Sequence, residues 1–224
     1  MMAHGAVMET AEVIGAVEAE LRLILDPAVA LVEMIADACT GTAATGPAAL
    51  TAHIAPLLPR IPATIAGVGL AFRPDLVRAG TGKGNGHVEW FSTLGGGALR
   101  TVIDTTTAIT YTDLEWYRLA IGVPATTIHG PYVDALCNDR YTVTVSRPAG
   151  DQPPIGVAVA DILVSEIEAR LLPLMVATPT PLAVVNSDGR VLTSTDVEVT
   201  TGSMVPPPPA GDRPFHVLEV PRNH

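Results

Sequence analysis

Between residues 9 and 38, Val13, Val17, Leu21, Ile24, Ala28, Leu31 and Ile35 recur at three- and four-residue intervals, with Glu12, Glu20 and Glu33 between them. That spacing predicts one long amphipathic helix with a wetter face. Pro27, following Asp26, is placed to bend or divide it, because proline removes a donor and crowds the preceding turn. Residues 41–46 read as a loop, and Pro47 suits the first position of a short helix reaching about Leu58.

The pattern then changes from a helical to a strand period. Residues 63–72 are almost all apolar or small, a buried strand centred on Ile65–Phe72. A glycine-rich bend at 80–86 leads to a second strand at His87–Thr93, and Gly95–Gly97 turns the chain into a third at Leu99–Asp104. These three read as neighbouring antiparallel strands. Asp113 is placed to cap a short helix carrying Trp116 and Tyr117. Tyr141–Arg147 and Ile155–Asp161 are two further strands around a Gly- and Pro-containing turn at 149–154. Ser165–Leu174 reads as a helix, with Glu166 and Arg170 at pairing distance on its outer face. Residues 182–193 form two strands about Asp188-Gly189, a strong turn pair. Pro206–Pro209 favour an extended segment, after which Phe215–Val220 is placed to return as an edge strand.

The result is an α/β (α+β) chain: a long N-terminal helix on a central antiparallel sheet, with a C-terminal strand-turn-strand extension. Its expected divisions are a flexible start at 1–9, a domain at 10–200 and a proline-rich tail at 201–224. With 224 residues, 48% of them hydrophobic and only 16% charged, it can bury a substantial core. Charge narrows the partners. The chain carries 13 basic against 23 acidic residues, and Lys83 is its only lysine, so neither nucleic acid nor an anionic membrane surface is an expected partner. Cys39 and Cys137 lie far apart and read as buried thiols, not as a disulfide or metal set. The N-terminus lacks a basic start and an unbroken apolar run, which points to a cytoplasmic protein.

Aromatic residues carry the candidate chemistry. All four tyrosines fall between 111 and 141, with one of the two tryptophans among them. Trp116 and Tyr117 present large apolar faces with polar tips, and Tyr132 and His129 can offer hydrogen bonds to a small polar molecule. An amine would gain cation–π attraction there. Asp161, at the end of an apolar strand, is costly unless paired. It requires a ligand amine, Arg100, Arg118 or backbone donors, or else it caps the helix that follows. Asp134 stands similarly or organises its loop.

Taken together, the long helix, the antiparallel sheet, the Trp116-Tyr117 turn, Gly130-Pro-Tyr132-Val-Asp134 and a strand ending at Asp161 resemble the Cache family. Ala183–Val191, with its Asp-Gly turn, resembles the family's strand-turn-strand, and the likeness spans roughly residues 10–200. It is closest in kind to single-chain, actinobacterial-type members. The resemblance implies a PAS-like small-molecule sensor domain, with Tyr111, Trp116 and Tyr117 at the aromatic turn, Tyr132 in the next loop, and Asp161 against a ligand amine. The family often places an arginine two residues before the tryptophan to grip a carboxylate. Leu114 stands there instead, which disfavours an ordinary α-amino acid. Arg118 is the nearest replacement.

The expected function is therefore a non-catalytic sensor of a small polar or amine-containing metabolite, with no cofactor and no metal, signalling through a separate partner protein. Its N-terminal helix is placed to form a homodimer. Two other readings remain open. One is a structural or dimerisation module without a ligand. The other is an enzyme using Asp104, Asp113, Glu115 or Asp134 as an acid/base pair. Nucleophile-elbow, zinc-protease and phosphate-loop motifs are all missing from the sequence.

Overall fold

The computed structural model describes residues 8–41, 56–57, 61–75, 87–93, 99–104, 110–136 and 139–221, with backbone alone at 99–100 and 102–104. The bend at 80–86, the turn at 95–97, Cys137 and all but 56–57 of the short helix from Pro47 lie outside these residues. Helix α1 (Thr10–Ala38) runs 29 residues, about 43 Å at the α-helical rise. It passes through Pro27 without a break. A proline inside a helix costs about 3 kcal/mol. Here Ile24, Leu25, Ala28, Leu31 and Val32 are all buried around it, so packing outweighs the lost hydrogen bond.

Strands β1 (Ile65–Phe72), β2 (His87–Ser92) and β3 (Leu99–Asp104) follow. A 3₁₀ turn at Tyr111–Asp113 precedes α2 (Glu115–Gly122), and then come β4 (Thr127–Asp134), β5 (Arg140–Ala149) and β6 (Gly156–Leu163). Helix α3 (Val164–Met175) leads to β7 (Leu182–Asn186), β8 (Val191–Ser194) and β9 (Phe215–Glu219). The large sheet is antiparallel throughout, in the order β3-β2-β1-β6-β5-β4. A smaller antiparallel sheet has the order β8-β7-β9. The expected α/β architecture is the one observed.

Strand alternation gives the large sheet two different faces. Val68, Leu70 and Phe72 of β1, Val143 and Val145 of β5, and Ala158, Ala160 and Ile162 of β6 turn towards α1 and α3 to make the main core. Cys39 lies in this core, where burial pushes its thiol up to about 12. The opposite face carries Val88, Trp90, Val157 and Val159, covered by Trp116, Tyr117 and Ala120 of α2.

Three local expectations are corrected. Tyr132, expected in a loop, lies on β4, whose backbone pairs with β5 from Thr127 to Asp134. Asp113 does not cap α2: the N-cap is Leu114, without a side-chain cap bond, because Asp113 is taken into the preceding 3₁₀ turn. Nor is Arg170 paired with Glu166. It donates Nε to Glu20 Oε1 at 2.5 Å, since α3 packs against α1 and brings a better-buried carboxylate within reach.

The second face of the sheet depends on two glycines. A Cβ on Gly67 would fall 2.4 Å from Cζ2 of Trp90, and one on Gly69 2.8 Å from its Cε3. The indole therefore lies flat on β1. Gly67→Ala should displace it and cost about 1–3 kcal/mol, the usual range for overpacking. Thermal unfolding read by tryptophan fluorescence checks this, and an unchanged midpoint would contradict it.

Candidate functional site

On the α2 side of the sheet, Trp90, Trp116, Tyr132, Leu136, Asp134 and Asp161 enclose a cavity of about 10 Å³, completed by Val88, Thr144 and Val159. That is room for roughly one water. Strand β5 builds its floor by alternation: Val143 and Val145 face α1, so Thr142, Thr144 and Ser146 face the other way. Ser146 Oγ donates to the Trp116 carbonyl at 3.1 Å and pins the start of α2 to the sheet.

Asp161 is 4% exposed. Thr144 Oγ1 donates to its Oδ1 at 2.7 Å. A hydroxyl has one proton, so Thr144 accepts in turn from the Tyr132 hydroxyl at 2.6 Å. Tyr132, Thr144 and Asp161 thus form a directed chain. Burial, then the neighbouring Asp134 carboxylate, push the Asp161 carboxyl well above the usual carboxylate range, against the opposing Thr144 bond. Asp161 is not a helix cap, because the N-cap of α3 is Leu163. Asp134 is also buried, and its Oδ1 accepts from the Leu136 backbone N–H at 3.1 Å.

Of the eight candidate residues, Trp116, Tyr132, Asp134 and Asp161 come together around the cavity. Tyr117 stands behind, edge-on to Trp116 at 5.9 Å and to Tyr111 at 5.4 Å, with its phenol pushed up to about 12 by burial. Tyr111 is fully buried; its hydroxyl donates to the Phe72 carbonyl and accepts from the His87 N–H at 3.1 Å, tying β1 to β2. Arg118 is exposed on α2 and lines neither the cavity nor the cleft described next. Arg100 has its side chain outside the described residues.

His129 lies elsewhere, in an open cleft of about 330 Å³ between β4 and the β7–β8 turn. Its ring sits 5.3 Å from that of Tyr132, and its Nε2 is 3.6 Å from Glu115 Oε2. Burial holds the imidazole below its ordinary value, opposed by Glu115 and Asp188.

The acids offered for acid/base chemistry do not converge: Asp113 and Glu115 are exposed, Asp134 is buried, and the Asp104 side chain lies outside the described residues. No group of three potential metal ligands occurs among the described residues.

The sequence reading missed Trp90, Thr144, Val88, Val159 and Leu136. Two signals were present. Gly67-x-Gly69 marks a strand face over which a large ring can lie, and Thr142-x-Thr144-x-Ser146 marks a polar face on a strand otherwise made of valines.

No family model matches this chain, and no curated protein does. Solved structures do. The extracellular domain of the histidine kinase soHK1S-Z6 aligns over 84% of this chain and 70% of its own, with 20% identity and a TM-score of 0.64. The ligand-binding domain of the Campylobacter jejuni chemoreceptor Tlp3, in complex with 4-methylisoleucine, aligns over 87% and 71% at 15% identity and a TM-score of 0.60. That of the Pseudomonas aeruginosa PAO1 amino acid chemoreceptor PctC, in complex with GABA, aligns over 84% and 76% at 18% and 0.57.

The chain shares the fold of these domains. At these identities the likeness extends to the fold alone. It gives no support to the single-chain actinobacterial type. A cytoplasmic location gains nothing either, because the kinase neighbour is an extracellular domain. No helix among the described residues is long and apolar enough to cross a membrane.

The raised Asp161 carboxyl has a consequence for stability. The folded state holds a proton that the unfolded chain releases, so stability is greatest below the unfolded value of 3.8 and falls as pH rises towards the folded value. Asp161→Asn keeps an acceptor for Thr144 and removes the titration. Urea unfolding between pH 4 and 8 should show a flatter stability profile for the variant and a more stable variant at the alkaline end. Parallel profiles would refute the assignment.

Proposed function

We propose that this chain is a non-catalytic sensor domain that binds a small, amine-containing metabolite and signals through a separate partner protein. One observation carries the reading. Two buried carboxyls and three aromatic side chains, Trp90, Trp116 and Tyr132, line one cavity whose lining includes no basic residue. An ammonium group entering there gains cation–π attraction and a charge-assisted hydrogen bond from Asp161. Leu114 stands at the head of α2, at the position from which the resemblance would have an arginine grip a carboxylate. The solved neighbours include domains holding 4-methylisoleucine and GABA, which supports a small nitrogen-bearing ligand. On this reading the sensor spans 10–200, and 201–224 is a proline-rich tail that returns as β9.

Asp161 must ionise to pair with an ammonium. Binding therefore releases a proton and tightens as pH rises towards the raised value of that carboxyl. A thermal-shift panel of primary amines, amino acids and their neutral or carboxylate isosteres should raise the melting temperature for amines. Calorimetry of a hit in two buffers of different ionisation enthalpy should then show proton release. Asp161→Asn should weaken binding by about 2 kcal/mol or more, the scale for losing one partner of a buried charge pair. A silent panel, or hits confined to the carboxylates, would overturn the reading.

A second reading concerns assembly. Leu23 and Met34 are 62% and 43% exposed on the outer face of α1, with Ala19 and Ala30 exposed on the same stripe. We propose that a second copy of this chain packs along it, helix against helix. Leu23→Glu should shift the sedimentation coefficient of the wild-type protein to that of a monomer. A wild-type protein already monomeric at high concentration would remove this reading and leave the sensor reading intact.

A further inference from the structure

The cavity around Asp161 is far too small for a metabolite. Small-molecule sites span roughly 300–1,000 Å³. Its 10 Å³ admits a single water, whereas the neighbouring cleft of 330 Å³ falls within the range for ligands. Tyr132 is the only described residue that lines both. We propose that the cleft is the second compartment of the ligand site, and that rotation of Tyr132 joins the two.

Four features of Tyr132 fit this role. It is only partly buried, unlike the strand residues of the cavity floor. It follows a break in the β4–β5 register between His129 and Tyr132, where Gly130 has a φ of 134° and a Cβ would meet the Thr142 carbonyl oxygen at 2.7 Å. The ring packs at the rim of the Trp90–Trp116 cluster and against His129, beside this irregular stretch of ladder. Its hydroxyl donates to Thr144, which donates to Asp161. When the tyrosine leaves, Thr144 keeps its hydrogen bond to Asp161, and an ammonium group entering beside it donates a second one to the ionised carboxylate.

The cleft suits the arrival of a cation. Glu115 and Asp188 flank the mouth beside His129, against Arg190, whose Nη1 already donates to the Gly202 carbonyl at 3.1 Å. Neutral imidazole does not repel an incoming amine, and a net charge of -10 on the whole chain draws cations towards it. The ligand class that follows is an elongated primary amine. Its ammonium group sits at Asp161, and its body lies in the cleft between Tyr132, His129 and Tyr141, larger than the inner cavity can hold. This choice of ligand rests on the sensor reading above. The passage itself does not.

The passage is testable without a ligand, because both tryptophans of the chain, Trp90 and Trp116, line the inner cavity. Acrylamide quenching of their fluorescence measures access to it. Tyr132→Ala should raise the Stern–Volmer constant by roughly threefold or more, as local solvent access does when a wall opens. Leu136→Ala also enlarges the cavity but leaves the wall to the cleft in place, so it should change quenching much less. Circular dichroism confirms that both variants keep the fold. If Tyr132→Ala fails to fold, Tyr132→Phe decides: it keeps the ring and loses the bond to Thr144, and should give an increase between wild type and the opened state. Quenching unchanged in the folded tyrosine variants, or larger in Leu136→Ala, would overturn the passage. Increased quenching together with a silent amine panel would keep the two-compartment site and discard the amine.

Discussion

Everything at the candidate site follows from one constraint on β5 and β6: each strand has to serve two unlike environments at once. A strand sends successive side chains to opposite faces. In β5 the valines at 143 and 145 enter the dry core beneath α1, which obliges Thr142, Thr144 and Ser146 to face α2. In β6 the same alternation places Asp161 on that second face between Ala160 and Ile162, both of which point into the main core. A register slip by one residue would put a carboxyl under α1 and valines in the cavity. The pairing of Thr144 with Asp161 across the two strands holds register and chemistry together.

The second face is also where the fold tolerates features that a core rejects. A buried carboxyl with a raised affinity for its proton costs stability at neutral pH, and the Tyr132–Thr144–Asp161 chain offsets that cost only in part. Such unspent electrostatic potential is typical of sites that await a partner group. The glycines of β1 let Trp90 lie flat, and that flat indole supplies one wall of the cavity. Sheet, aromatic cover and acid are therefore one arrangement, supported from behind by α1.

The likeness to chemoreceptor and kinase sensor domains extends over most of the chain at identities of 15–20%. A fold conserved at that distance is specified by pattern more than by individual residues. Fold and ligand chemistry are separable, because the chemistry lives in the side chains that a site presents. The ligand preference of this chain has to be argued from its own cavity.

Periodicity alone determined the long helix, every strand but β4, the antiparallel pairing of the first three and the Asp188-Gly189 turn, because each shows in the spacing of its own segment. It also marked Trp116, Tyr132, Asp134 and Asp161, since clustered aromatics and an acid in an apolar strand stand out against their surroundings. Tertiary packing decided the rest. Tyr111 became a clamp between β1 and β2, and Arg170 found Glu20 on another helix, because partners distant in sequence came within reach. Thr144 and Trp90 joined the site through pairings that no local pattern names. The separation of a small cavity from a larger cleft, with Tyr132 lining both, depends on where two sheets meet. A sequence fixes which way each side chain faces along its own strand; only the packed sheets decide what it faces.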